Sequence, residues 1–138
     1  MVEATINYAA VIVAAIVSMG VGFLWYGPLF GKLWMQLSGF TQKKIAEAKK
    51  KKMGKTYAIA FLSTLLMSYA LAHFVDYAEA NTFALGAVAG FWIWLGFVAT
   101  IMLGTVLWEG KPIKLYLINS LNYLVALILM GGILAVWV

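Results

Sequence analysis

The chain contains no cysteine, no arginine, two prolines and one histidine. Without cysteine there are no disulfides, thiolate metal sites, iron–sulfur clusters or cysteine nucleophiles. The lone His73 supplies neither both axial ligands of a haem nor a full zinc shell. Acids are scarce too, at five. No acid pair within an apolar run, no Gly-rich phosphate loop and no Ser/His/Asp set stands in a usable order. The sequence therefore points away from an enzyme, with no cofactor and no metal expected.

Charge is missing above all from long stretches. Ile6 to Tyr26, Tyr57 to Val75 and Phe83 to Trp108 hold no charged residue, and Ile113 to Val138 holds only Lys114 near its start. Each run reaches roughly the 20 residues that a helix needs to cross hydrocarbon. Backbone in lipid has to satisfy its own polar groups, so such runs become helices. The reading is an all-α integral membrane four-helix bundle, one domain over residues 1–138. Its spans are expected at about 5–26, 56–76, 82–108 and 112–137. Met1-Val2-Glu3 has no basic n-region, so the first run reads as a retained helix rather than a signal peptide.

The charge that is present has one dominant sign and one side. All ten basic residues are Lys, and eight of them (Lys32, Lys43, Lys44, Lys49, Lys50, Lys51, Lys52, Lys55) lie between the first two runs. Lys111 and Lys114 flank the turn between the third and fourth. The N-terminus and the loop between the second and third runs carry only Glu3, Asp76 and Glu79. By the positive-inside rule the Lys-bearing loops are cytoplasmic and both termini lie outside, in the cell's inner (plasma) membrane. The net charge of +5 then expresses topology, and no nucleic-acid partner is expected.

Trp25-Tyr26-Gly27-Pro28 reads as an abrupt stop to the first span, with the aromatic pair at headgroup level. In the next ten residues Leu29, Phe30, Leu33, Trp34 and Leu37 share a helical face opposite Lys32 and Gln36. That pattern predicts a short cytoplasmic interfacial helix. Thr41 reads as the N-cap of a Lys-rich cytoplasmic helix ending near Gly54. Its Lys49, Lys50, Lys51 and Lys52 either attract anionic lipid headgroups or serve only to set topology.

Small residues mark packing faces. The third run carries Gly86, Gly90, Ile93, Phe97, Thr100 (or Ile101) and Gly104 at helical spacing, and the first carries Ala10, Ala14, Ser18 and Gly22. The GxxxG pair Gly86/Gly90 lets two backbones approach closely. The two stripes are expected to meet each other or a second copy of the chain. Leu24-Trp25-Tyr26-Gly27-Pro28 is echoed by Leu107-Trp108-Glu109-Gly110-Lys111-Pro112. The echo fits either two related helical hairpins or convergent interface chemistry.

Polar side chains inside a bilayer mark function or helix association. Asn119 and Asn122 share a face of the fourth run beside Tyr123, and either bridge to another helix or line a polar cavity. His73 precedes Asp76 by three residues, a spacing that lets the acid hold the imidazole in one tautomer; a mere interfacial polar cluster is the alternative. Ser63, Thr64 and Ser68 can bond back to their own helix. Glu109 has Lys111 and Lys114 as its obvious partners.

The block Trp25-Tyr26-Gly27-Pro28-Leu29-Phe30-Gly31-Lys32-Leu33-Trp34 is the most specific part of a wider pattern. It continues through the Lys-rich link into Met53-Gly54 and ends in Trp108-Glu109-Gly110-Lys111-Pro112 with Leu117-Ile118-Asn119. Together these resemble a widespread prokaryotic domain-of-unknown-function family, number seventeen sixty-one, of small four-span membrane proteins. The resemblance covers essentially the whole chain and implies the four-span fold, with no activity, substrate or cofactor attached. It directs attention to Tyr26, Gly27, Pro28, Gly31, Trp34, Glu109, Gly110 and Asn119. The functional expectation is a non-enzymatic, homo-oligomeric membrane component, either scaffolding a complex or binding lipid or an apolar ligand. The alternative is a small transporter or channel whose polar path runs by Asn119, Asn122 and Glu109.

Overall fold

A computed structural model describes residues 6–39, 43–44, 47 and 54–137, which are helical apart from short turns. Four helices are long and apolar enough to cross a membrane: Tyr8–Leu29, Gly54–Tyr77, Phe83–Leu107 and Ile113–Val136. These are spans one to four. The Lys-rich helix expected from Thr41 to Gly54, with Lys49, Lys50, Lys51 and Lys52, lies outside the described residues except for Lys43, Lys44 and Glu47, which are helical.

The helices begin where local chemistry allows. Asn7 accepts the Ala10 amide ahead of the first span, and Thr82 accepts the Leu85 amide ahead of the third; each satisfies an amide that the first turn leaves open. Pro112, which has no amide to lose, precedes the fourth.

The fourth span is the axis of the bundle. Of its most apolar stretch 50% is buried, against 22%, 22% and 17% for spans one, two and three. Ala10, Val11 and Ala14 of span one, Leu71, Ala72 and Val75 of span two, and Ala126, Leu127, Met130, Leu134 and Ala135 of span four form the core. Ser68 crosses this core to donate to the Val11 carbonyl at 2.8 Å, so it ties spans one and two rather than bonding back to its own helix. Thr64 does bond back, to the Ala60 carbonyl at 2.9 Å.

Span three reaches the axis by glycine. A Cβ on Gly86 would strike the Gly131 carbonyl, and one on Gly90 would strike the Leu127 carbonyl. This corrects the expected pairing: the stripes of spans one and three do not meet each other, because each packs on span four. Gly22 and Gly104 take no part in a close approach, since a Cβ on Gly22 meets nothing within 4 Å and one on Gly104 meets only the Trp108 ring at 3.5 Å. Ser18 is half-buried.

Two spans contain wide turns that the apolar pattern does not announce. Span one does not stop at Trp25; it widens into a π-helical stretch, Trp25–Leu29, that absorbs Pro28. The Phe30 amide reaches back five residues to the Trp25 carbonyl at 2.8 Å. Span three has the same device at Trp94–Ala99, followed by the short helices Thr100–Met102 and Gly104–Leu107. A π turn holds an extra residue and so rotates everything after it. The lower half of the glycine stripe turns outward for this reason: Phe97 and Ile101 are 66% and 72% exposed, while Ala99 is buried.

Candidate functional site

The π stretch of span one leads through Phe30 into the short helix Gly31–Ser38, which ends at Gly39 in the left-handed conformation, φ +78°. Gly31 lies so close beneath Tyr26 that a Cβ would come within 2.6 Å of the Tyr26 carbonyl, which is how the chain folds back at this point. The helix is amphipathic, with Lys32 and Gln36 exposed, but its inward side is Gly31, Trp34 and Met35. Leu29 and Leu33 of the apolar face point outward from the bundle.

Four hydrogen bonds draw spans one and three onto the lysine-side half of span four. The Trp25 indole N–H donates to the Ile118 carbonyl at 2.8 Å, and the Tyr26 hydroxyl donates to Asn119 Oδ1 at 2.7 Å. From span three, the Trp94 indole N–H donates to the Ser120 carbonyl at 2.6 Å. Tyr116 returns a bond to the Ala99 carbonyl at 2.7 Å. An indole in a dry span needs an acceptor, and backbone carbonyls on the axis supply it. Both indoles open a π stretch, so the structural echo pairs Leu24-Trp25-Tyr26-Gly27 with Ile93-Trp94-Leu95-Gly96. Trp108, the partner proposed for Trp25 from sequence, is 87% exposed at the span end and makes no such bond.

Beside this layer lies a cavity of about 570 Å³ lined by Tyr26, Gly31, Trp34, Met35, Met102, Asn119 and Tyr123. The Tyr26 and Trp34 rings meet edge-to-face at 5.8 Å in its wall, and the Trp25 and Phe30 rings pack at 4.7 Å next to it. Every lining side chain among the described residues is uncharged. Tyr26, Trp34 and Asn119 were singled out from the sequence, and the structure brings them together with Tyr123. Gly27 and Pro28 serve the wide turn and lie exposed outside the cavity. Met35 and Met102 carried no sequence signal of their own.

The remaining candidates lie elsewhere. Glu109 and Gly110 stand in the exposed turn after span three, Gly110 with φ +67°. Asn122 is 9% exposed, lies outside the lining of this cavity, and its Oδ1 is buried with no hydrogen-bond partner among the described residues. His73 sits at the opposite end of the bundle, where its Nδ1–H donates to the Tyr69 carbonyl at 2.8 Å between the rings of Tyr69 and Tyr77. Its tautomer is thus held by its own helix backbone, not by the acid expected from sequence. Asp76 instead borders a second cavity of about 480 Å³ at that end, with Asn7, Glu79 and Asn81 among its polar neighbours and Leu134 and Trp137 among its apolar ones.

The family described as protein of unknown function, DUF1761, matches residues 9–135. The chain belongs to the DUF1761 family. No curated protein and no solved structure matches it. In this DUF1761 protein the segment Trp25 to Trp34 builds the π turn, the short helix and one wall of the cavity.

Proposed function

We propose that the protein is a non-enzymatic membrane component that holds a lipid or another apolar molecule in the cavity beside Asn119. The observation that carries this reading is the cavity itself: about 570 Å³, walled by two tyrosines, a tryptophan and two methionines, with one amide among them. Such a volume and lining suit a small amphipathic ligand. Thioether side chains adapt to irregular apolar shapes. In the proposed orientation the lysine-bearing loops face the cytoplasm of the inner membrane and both termini face out. The cavity then opens at the cytoplasmic boundary of the bilayer, and Lys49 to Lys52 lie on the same side, where anionic headgroups gather.

Assembly into a homo-oligomer belongs to the same proposal. Gly20 and Gly96 are exposed, and a Cβ on either would meet nothing within 4 Å. Glycine weakens a helix and earns its place where another helix comes close. The transporter alternative gains no such support. The two cavities lie at opposite ends, and the buried Ala126, Leu127 and Met130 stand between their linings along span four.

The test is native mass spectrometry of the protein released gently from its own membrane. A discrete bound mass should appear, and Met35→Trp, which fills the cavity from the short helix, should remove it. A protein carrying no bound mass, or one whose bound mass survives Met35→Trp with the protein still folded, would refute the reading.

A further inference from the structure

Resting on the proposed ligand role of this cavity, we infer that its occupant is an uncharged amphiphile held through a carbonyl oxygen. The polar inventory of the wall is lopsided. The Tyr26 hydroxyl proton is already committed to Asn119 Oδ1 at 2.7 Å. That bond takes one lone pair of Asn119 Oδ1, while the Nδ2 hydrogens have no partner among the described residues. The Tyr123 hydroxyl likewise has no partner there. Two donors on neighbouring turns of one helix therefore border the same apolar space, and an acceptor oxygen is the complementary group.

Charge excludes the commonest acceptor. Among the described residues no lysine, acid or histidine lines the cavity, so a phosphate or carboxylate would find no counter-charge in this wall. A carbonyl accepts from both donors and carries no net charge. Depth agrees with this. Counting 1.5 Å per residue along each helix, Tyr26 lies about 27 Å from Tyr8, and Asn119 about 26 Å from Val136. Both therefore stand just inside the far boundary of a hydrocarbon core about 30 Å thick. The carbonyls of two kinds of lipid reach this level: the ring carbonyl of a quinone on an apolar tail, and the ester carbonyl of an uncharged glycerolipid. The shared chemistry is the neutral carbonyl; Trp34, Met35 and Met102 contact the rest of the molecule.

The inference is tested on the purified protein in detergent by native mass spectrometry, with probes added at equal concentration. A decyl-substituted benzoquinone and a diacylglycerol form the carbonyl arms, and a long-chain alkane serves as the control without an acceptor oxygen. At least one carbonyl arm should be retained about five- to tenfold better than the alkane, the margin of a hydrogen bond, and the stronger arm identifies the source. Tyr123→Phe, which breaks no hydrogen bond within the described residues, should shrink that preference severalfold, and Asn119→Leu should abolish it. Equal retention of all three probes, lost together in Met35→Trp, overturns the carbonyl inference while leaving the lipid site standing. Absence of retention for every probe overturns both.

Discussion

Gly90 and Gly96 lie six residues apart in one apolar helix and have opposite roles. Gly90 is buried where a Cβ would enter the Leu127 backbone, whereas Gly96 is exposed with open space around it. Gly90→Ala should therefore destabilise the bundle by about 1–3 kcal/mol through overpacking. Gly96→Ala should stabilise the monomer by up to about 1 kcal/mol through helix propensity. Thermal melts of the two variants in detergent would separate the signs, and equal losses would contradict the packing described here. Asn122 gives a third sign. Its buried, unpartnered Oδ1 costs about 1–3 kcal/mol of desolvation, so Asn122→Leu, which keeps the branched shape without the polar atoms, should raise the melting temperature. A fall would mean that the amide has a partner outside the described residues. Polarity singles out Asn119 and Asn122 in the sequence, but not their different surroundings. Which amide meets a hydroxyl depends on where Tyr26 arrives from span one, 93 residues away.

At the scale of elements, the two π stretches explain most of what apolar patterning left unread. A run that is apolar on every face shows no change of phase when one residue is inserted, so the widening at Trp94–Ala99 has no periodic signature. The number of spans, by contrast, was plain from the exclusion of charge, and the observed ends fall within a few residues of the expected ones. Pro28 was read as a stop because proline removes a helix hydrogen bond; the wide turn accommodates it and lets the span run on to Leu29. Each π stretch opens with an indole bound to a different carbonyl of span four, Ile118 or Ser120. Trp25→Phe and Trp94→Phe should each cost about 0.5–1.5 kcal/mol beyond any packing change. Because the two bonds share no partner, the double variant should equal the sum within about 0.5 kcal/mol. A large coupling energy would show instead that the indoles hold span four as one unit, which a double-mutant cycle on thermal stability would detect.

For the whole molecule, the absence of cysteine becomes an experimental advantage, since any introduced thiol is the only one. Asn81 and Glu109 are both exposed and lie in the turns at opposite ends of span three. In the proposed orientation Asn81 faces outside and Glu109 faces the cytoplasm. A membrane-impermeant maleimide should label Asn81→Cys in intact cells, and Glu109→Cys only after permeabilisation. Replacing Lys49, Lys50, Lys51 and Lys52 together by Gln should leave that pattern unchanged, because six lysines remain on the same side and none stands on the other. Reversed labelling would place the uncharged cavity at the outer face. The carbonyl chemistry inferred there would survive such a reversal, because it depends on Asn119 and Tyr123, but the proximity to cytoplasmic anionic lipid would not. Orientation and ligand are thus independent questions about one bundle, and the labelling experiment decides the first without assuming the second.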